Sequence, residues 1–213
     1  MRSFLALIVA AASLMGCALP LSGTPSSSVP SGGVLYEDDF ASPATGWVRV
    51  KNDGGIMDYD GGGYRILVTA RDANVWSTPH REFSDARVEV DAGKLGGPDA
   101  NRIGLICRSD GASHYFFIIG SDGYYGLGIF TGGKAALLGQ STMQPGKEIV
   151  TGTAINHLRL DCNGNSLTGY INGVQVAQVR DQTLTRGEAG VLAGTFDEPG
   201  ADIVFDNFVV LQP

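Results

Sequence analysis

The stretch SLTGYINGVQVAQV, residues 166–179, has the pattern of two β-strands joined by a tight turn. Asn172-Gly173 lies between two segments rich in apolar and β-branched residues. Asn and Gly readily adopt the positive φ angles of a type I′ turn, whose twist matches that of paired antiparallel strands. We therefore predict a β-hairpin with strands over residues 166–171 and 174–179.

The same pattern of short strands and turns extends through most of the chain. In Ala86–Ala92, Val88 and Val90 alternate with charged residues, which predicts a strand with both valines facing a core. After residue 33 the sequence has no sustained helical period, so we expect helices only as short connectors. Frequent turns between short strands are typical of an all-β sandwich or barrel. The turn-forming clusters are residues 52–55, 60–63, 121–123, 131–133, 163–164 and 172–173.

Composition limits the classes of partner. The chain has a formal net charge of -7 and no cluster of Lys or Arg. Nucleic acids and anionic membrane surfaces attract basic patches, so we expect neither as a partner. Neutral partners such as carbohydrates are compatible with this charge. Residues 34–213 are enough for a single domain with a well-covered core, which we expect to be a monomer.

The N-terminus has the features of an export signal. Arg2 precedes the apolar run Phe4–Leu14, which has the length of a signal-peptide core and is too short to span a bilayer. Leu14-Met15-Gly16-Cys17 resembles the lipobox of bacterial lipoproteins. The resemblance implies a signal peptide over residues 1–16 and acylation of Cys17, for example with palmitate, which would anchor the protein to a membrane of the cell envelope on the exported side. The alternative is an ordinary secretory signal with an incidental cysteine.

The segment after the lipobox is rich in Ser, Pro and Gly. Residues 18–33 carry no charge and few bulky apolar side chains. Such a segment cannot bury enough surface to offset its ordering entropy. We therefore expect residues 17–33 to be a lipidated N-terminus followed by a flexible linker, and residues 34–213 to be the folded domain.

Several short motifs follow one another in a characteristic order. They are Asp39-Phe40, Gly46-Trp47, Gly63–Ile66, Val88–Asp91, Gly104–Arg108, Tyr115–Phe117, Asn156–Leu160, Leu167–Gly173 and Phe205–Val210. This order resembles concanavalin A-like and laminin G-like domains over most of residues 34–213 and, more distantly, 3-keto-disaccharide hydrolase-like proteins. The resemblance implies an all-β jelly-roll sandwich of two antiparallel sheets, with about six or seven strands each. One face is concave and binds sugar in many relatives. Strand patterns predict a fold far better than an activity.

One strand resembles a catalytic motif. Laminarinase- and lichenase-type glycoside hydrolases carry Glu-x-Asp followed by a second Glu that acts as acid/base. Here Glu89 and Asp91 match the first two positions, but Gly93 or Lys94 stands where the second Glu belongs. Glu89 and Asp91 share a strand face, so they could still form a working pair, or they could be the solvated side of the strand. We expect no catalysis and keep a hydrolase that uses these two carboxylates as the alternative.

Aromatic and polar residues indicate a carbohydrate-binding face. Aromatic rings stack on the apolar faces of sugars. Tyr124 and Tyr125 are consecutive, so one of them should face solvent. Tyr115–Ile119 is apolar on both alternating faces, so we expect Phe116, Phe117 and Ile118 in the core. The candidate ligand-binding residues are Trp76, Arg108, Tyr115, Tyr124 and Tyr125.

Carboxylates near both ends of the domain suggest a structural calcium ion. In the jelly rolls that the chain resembles, the first and last strands commonly pair, and some hold calcium at the rim. Calcium binds six to eight oxygen atoms. Asp39 and Asp206 are the candidate ligands, whereas the capping of turns by Asp side chains is the alternative. We expect no other cofactor.

Two cysteines remain if Cys17 is acylated. Cys107 and Cys162 each end an alternating strand, in phase with the inward residues. An even pair in an exported domain favours a disulfide, which we predict between them. Two buried thiols are the alternative.

Together these features predict a membrane-tethered, non-catalytic module that binds carbohydrate or another envelope component. A glycan-active hydrolase is one alternative, and a structural or protein-interaction lipoprotein without a small ligand is another. A cleft with two close carboxyl groups would indicate the enzyme, and an exposed aromatic platform would indicate the binding module.

Overall fold

A computed structural model describes residues 31–213 as strands, turns and loops. The predicted signal peptide, Cys17 and the linker up to residue 30 lie outside the described residues. Within residues 31–213, no helix is long and apolar enough to cross a membrane.

The described chain forms strands that all pair in antiparallel fashion. In chain order they are β1 (Val34–Asp38), β2 (Val50–Asn52), β3 (Gly55–Asp60), β4 (Gly63–Val68), β5 (Asn74–Ser77), β6 (Glu82–Phe83), β7 (Ala86–Gly96), β8 (Asn101–Ser109), β9 (His114–Ile119), β10 (Tyr124–Thr131), β11 (Lys134–Leu137), β12 (Gln144–Pro145), β13 (Asn156–Asn163), β14 (Ser166–Ile171), β15 (Val174–Arg180), β16 (Gly187–Thr195) and β17 (Ala201–Leu211).

These strands build the two sheets of a jelly-roll sandwich. The nine-stranded sheet has the order β15-β14-β13-β7-β17-β4-β3-β2, and β1 pairs with β17. The eight-stranded sheet has the order β11-β10-β9-β8-β16-β5, with β12 beside β10 and β6 beside β16. The all-β sandwich and the pairing of the first and last strands are confirmed. Six or seven strands per sheet was too few, because short segments such as β6 and β12, two residues each, also pair.

The predicted hairpin is confirmed as β14 and β15. Asn172 and Gly173 have φ angles of 50° and 83°, as a type I′ turn requires. The Asn172 side chain also fixes the neighbouring loop, since its Oδ1 accepts from the His157 N–H at 2.9 Å and its Nδ2 donates to the Glu148 carbonyl at 2.8 Å. This turn therefore joins two strands and holds a third segment in place.

The core lies between the sheets and is filled by the inward side chains of both. Val88 and Val90 on β7 are fully buried, as the alternation predicted, and Phe117 and Phe205 are equally buried. Burying a side chain of this size contributes roughly 1.5–3 kcal/mol.

A disulfide ties the two sheets together through this core. Cys107 on β8 and Cys162 on β13 are bonded, with their Cα atoms 6.8 Å apart. Both residues are buried among the inward side chains. The predicted pairing is confirmed, and it joins strands of opposite sheets.

The two outer faces of the sandwich differ in character. On the nine-stranded sheet, β7 and β13 present charged side chains that pair with one another, such as Arg87 of β7 with Asp161 of β13. On the eight-stranded sheet, the outward residues Ile106, Phe116, Ile118 and Leu192 form a second apolar cluster, separate from the core. Such an apolar cluster is unusual on the face of a sheet that points away from the core.

Candidate functional site

A groove of about 730 Å³ lies on the outer face of the eight-stranded sheet. Most of the residues that line it are apolar, and its charged or amide side chains are Asp72, Asn74, Arg102 and Lys134. Phe116, Ile118 and Leu192 are 3–6% exposed and form the floor. The residues packed against them are Trp76, Phe130, Leu137 and Met143.

The floor follows from the alternation along β9 and from glycines on its neighbours. Successive β9 residues point to opposite faces, so Phe117 enters the core while Phe116 and Ile118 point outward. Phe116 pairs with Gly128 on β10, and an added Cβ there would collide with the Phe116 ring. A Cβ at Gly104 on β8 would lie 2.8 Å from Ile118. The glycines therefore let these side chains lie flat against the sheet.

One wall of the groove is a set of three aromatic rings. The three rings contact one another: the His114 centroid lies 4.7 Å from that of Trp76 and 5.2 Å from that of Phe130, and the Trp76 and Phe130 centroids are 5.6 Å apart. His114 and Phe130 are stacked at 17°. Trp76 is half-buried on β5, the edge strand of the sheet. The wall thus combines an indole on an edge strand with the rings of His114 and Phe130.

His114 is buried in this wall in an uncharged form. The residue is 1% exposed, and its Nδ1 atom has no hydrogen-bond partner among residues 31–213. Burial lowers the pKa of His114 to about 4, and the charge of Asp110 opposes this shift only in part. The imidazole is therefore neutral at physiological pH.

The polar end of the groove is organised around Arg102. Its guanidinium donates to Asn74 at 3.0 Å and to Asp72 at 3.1 Å. The guanidinium carbon lies 3.9 Å from the centre of the Phe196 ring, which fixes its plane. The Asp72 side chain is 82% exposed. This end offers donors and acceptors in fixed directions, as recognition of hydroxyl groups requires.

Of the predicted ligand-binding residues, Trp76 lines the groove. Tyr124 is 45% exposed, so it is the one of the two consecutive tyrosines that faces solvent, but it lies outside the groove lining. Tyr125 turns toward the core, packs near Phe117 and donates its hydroxyl to the Val176 carbonyl at 2.9 Å.

Arg108 and Tyr115 require a correction, because both are buried and already bonded. Arg108 is 2% exposed and donates to the carbonyls of Ser84 and Leu184, both at 2.9 Å. Tyr115 is fully buried, and its hydroxyl bonds to the Asp181 carboxylate. These side chains tie loops to the sandwich, and we remove them from the candidate ligand-binding residues.

The carboxylates of the hydrolase alternative lie on the opposite sheet. Glu89 and Asp91 point outward from β7, where His157 lies between them. The His157 Nδ1 is 2.8 Å from Asp91, and its Nε2 is 3.4 Å from Glu89. Asn207 also donates to Asp91 at 2.9 Å. The pair is therefore engaged in local contacts, remote from the groove.

The two candidate calcium ligands each accept a local hydrogen bond. Asp39 accepts from the Ala41 N–H at 3.0 Å, and Asp206 accepts from the Asn207 N–H at 2.7 Å. Such bonds are what turn-capping Asp residues make. In the described part of the chain, no group of three or more His, Cys, Asp or Glu residues is arranged to hold a metal ion. Calcium at these residues stays a prediction.

Sequence reasoning missed most of the groove. Asn74 could have been found, because it is two residues from Trp76 and so shares its strand face. His114 was not among the candidate ligand-binding residues. No local pattern identifies Arg102, which reaches Asn74 and Asp72 only through the pairing of distant strands.

Comparison with known proteins gives the fold. No protein-family model and no curated protein matches the sequence. The chain is similar to the carbohydrate-binding module CBM66 from Bacillus subtilis, with a TM-score of 0.61 and 19% identity over 78% of this chain and 95% of the module. A Bacillus subtilis protein with a galectin-like fold matches with a TM-score of 0.62 and 15% identity over 86% of this chain and 97% of its own.

An enzyme has the same architecture. A glycoside hydrolase family 16 endo-glucanase from Bacteroides ovatus matches with a TM-score of 0.56 and 15% identity, over 84% of this chain and all of its own. At these identities the similarities establish the architecture alone. The chain therefore has a jelly-roll sandwich fold like that of this binding module and this endo-glucanase.

Proposed function

We propose that this protein binds carbohydrate in the groove of the eight-stranded sheet and does not catalyse a reaction there. The observation that carries the proposal is the combination of the Trp76 wall with the polar end at Arg102. A sugar ring has an apolar face that stacks on aromatic rings and hydroxyl groups that need directional hydrogen bonds. The groove volume falls within the roughly 300–1,000 Å³ of small-molecule sites.

The neighbours in fold support the carbohydrate class and leave the chemistry open. One is named as a carbohydrate-binding module and another as an endo-glucanase. The choice between binding and hydrolysis therefore depends on the residues of the groove in this chain.

Those residues favour binding. Asp72 is the one carboxylate among the described residues that line the groove, and it is bonded to Arg102. Retaining and inverting glycosidases need two carboxyl groups, about 5–5.5 Å or 6.5–9.5 Å apart. Glu89 and Asp91 lie on the other sheet and cannot complete such a pair with Asp72.

We further propose that acylated Cys17 tethers the domain to a membrane of the cell envelope. The chain enters the domain beside its own C-terminus, where the Gly32 N–H donates to the Gln212 carbonyl at 2.7 Å and the Gln212 N–H donates to Gly33 at 2.9 Å. This position is beside β17 in the nine-stranded sheet, so a tether leaves the groove accessible. Cys17→Ser should release the protein from membranes, because stable attachment then lacks its lipid. Retention of the variant in carbonate-washed membranes would contradict the tether.

The binding proposal is tested with the full-length protein on a glycan array, followed by calorimetry with the oligosaccharides that bind. Trp76→Ala should weaken binding by about 1 kcal/mol or more, because it removes the stacking face. Tyr124→Ala is the matched control: it removes an exposed aromatic ring outside the groove and should leave affinity unchanged.

Three results would contradict this proposal. The array could show no bound carbohydrate, or the two alanine variants could lose affinity equally. Hydrolysis of a bound glycan that disappears in Glu89→Gln would instead establish the hydrolase alternative.

A further inference from the structure

His114 is a polar residue for which the protein supplies no partner. It is 1% exposed, lines the groove, and holds a buried Nδ1 atom without a hydrogen bond among residues 31–213. Buried polar groups in folded proteins are nearly always bonded, so an exception calls for a reason. Phenylalanine would fill the same space beside Trp76 and Phe130 without this unbonded nitrogen.

The surroundings of His114 are apolar. Trp76 and Phe130 lie against the ring, and Phe116 and Leu137 line the same groove. The nearby carboxylate of Asp110 is engaged by the backbone N–H groups of Ala112 and Ser113, at 2.9 and 2.6 Å. A ligand group that satisfies the imidazole must therefore combine one polar atom with an apolar part.

The neutral charge of the His114 ring further limits the ligand groups that can bond to it. With its pKa lowered to about 4, the ring is neutral at physiological pH and carries one N–H donor and one acceptor nitrogen. The ring itself therefore brings no positive charge to a carboxylate or phosphate, and the cations that line the groove are Arg102, which is paired with Asp72, and Lys134 on β11. A ring hydroxyl group ends at its own oxygen atom, whereas an acetamido group extends a carbonyl oxygen and a methyl group beyond the sugar ring.

We propose that His114 recognises the acetamido group of an N-acetylated sugar bound in the groove. The carbonyl oxygen accepts a hydrogen bond from the imidazole N–H, and the methyl group packs against Phe116 and Phe130. This inference rests on the proposed carbohydrate binding and names the class of sugar.

A ligand group that reaches His114 also lies beside Trp76. The centroid of the indole is 4.7 Å from that of the imidazole, and both side chains line the groove. Trp47, the other tryptophan in the chain, is 4% exposed in the core. N-acetylated ligands should therefore change tryptophan fluorescence, and this change should be absent in Trp76→Phe.

The test compares triacetylchitotriose with cellotriose, two β-1,4-linked trimers that differ in carrying acetamido or hydroxyl groups at C2. With the full-length protein, calorimetry should show at least about tenfold tighter binding of the acetylated trimer, because a site built around a hydrogen bond discriminates against ligands that lack it.

In His114→Phe the two affinities should become nearly equal. The variant keeps an aromatic ring in the wall and should melt at or above the wild-type temperature. If His114 had only a structural role, His114→Phe would keep the preference for the acetylated trimer and would melt at a lower temperature than the wild type.

The outcomes separate this inference from the proposed function. If arrayed carbohydrates bind in a Trp76-dependent way but the acetylated trimer is not preferred, the acetamido assignment is wrong and carbohydrate binding stands. If the preference persists in His114→Phe, His114 is not its cause. If no carbohydrate binds at all, both proposals are wrong.

Discussion

His114 links the stability of the fold to pH. Its pKa falls from 6.5 to about 4 on folding because burial disfavours the charged ring. Between these values the unfolded chain binds a proton that the folded chain does not. The contribution of His114 to stability is therefore full above pH 6.5 and is lost progressively as the pH falls toward 4.

We expect His114→Phe to reduce the acid sensitivity of the fold. Lowering the pH from 7 to 4.5 should cost the wild type about 2 to 3 kcal/mol more than it costs the variant, since each pKa unit corresponds to about 1.4 kcal/mol. Urea unfolding at the two pH values measures the difference. His80→Asn is the control, because the side chain of His80 is 65% exposed. Equal losses in the wild type and His114→Phe would show that another group dominates.

Two arginines on β8 show what a sequence can and cannot reveal about single residues. Arg102 and Arg108 lie near the two ends of this strand, and only Arg108 was selected from the sequence. Arg108 has a φ of 53°, near a register shift between β8 and β16, so simple alternation fails there and the guanidinium is buried. Arg102 keeps the alternation and reaches the groove. Trp76 could be selected as a candidate ligand-binding residue without knowledge of strand pairing, because tryptophan is seldom fully buried.

At the scale of strands, β9 is apolar on both faces, as the sequence predicted. Phe116, Phe117 and Ile118 were all expected in the core, but only Phe117 packs between the sheets. The inward residues of β9 lie in the core, whereas Phe116 and Ile118 form the floor of the groove. An apolar outer face can be covered by side chains of the same face, here Trp76 and Met143, and needs no third layer. Sequence alternation gives the polarity of each face but does not reveal what covers it.

The two Asn-Gly pairs of the chain should differ in importance, although they look alike in sequence. Asn172 has a positive φ of 50° and bonds to the backbone of His157 and Glu148. Asn163 is exposed, and of the second pair only Gly164 has a positive φ. We expect Asn172→Ala to lower the free energy of unfolding by about 1–3 kcal/mol, through strain and lost hydrogen bonds.

Asn163→Ala is the matched control and should change stability by less than about 0.5 kcal/mol, as surface substitutions usually do. Chemical denaturation of both variants at one pH provides the comparison. Similar losses for both would mean that neither the positive φ nor the hydrogen bonds of Asn172 account for the effect.

At the scale of the whole molecule, one outer face of the sandwich is charged and the other carries the apolar groove. The fold class, the hairpin and the inward cysteines could be predicted because each depends on residues close in sequence. The assignment of β5, β8, β9 and β10 to one sheet depends on pairings between distant segments. For that reason Glu89 and Asp91 could be recognised as a matched motif, but their position on the sheet opposite the groove could not.

The disulfide should be a large part of the stability of this architecture without contributing to the groove. It joins the two sheets and closes a loop with a sequence separation of 55 residues. In the chain-entropy model such a cross-link stabilises by roughly 4 kcal/mol, out of a typical total of about 5–15 kcal/mol. Replacing Cys107 and Cys162 together by Ala should lower the free energy of unfolding by about this amount, measured by urea denaturation. Wild-type protein under reductant is the control and should show a similar loss.

Ligand affinity of the folded variant should stay unchanged, because both cysteines lie in the core, between the sheets, whereas the groove is on the outer face. A double variant as stable as the oxidised wild type would show that packing between the sheets holds the sandwich without the cross-link.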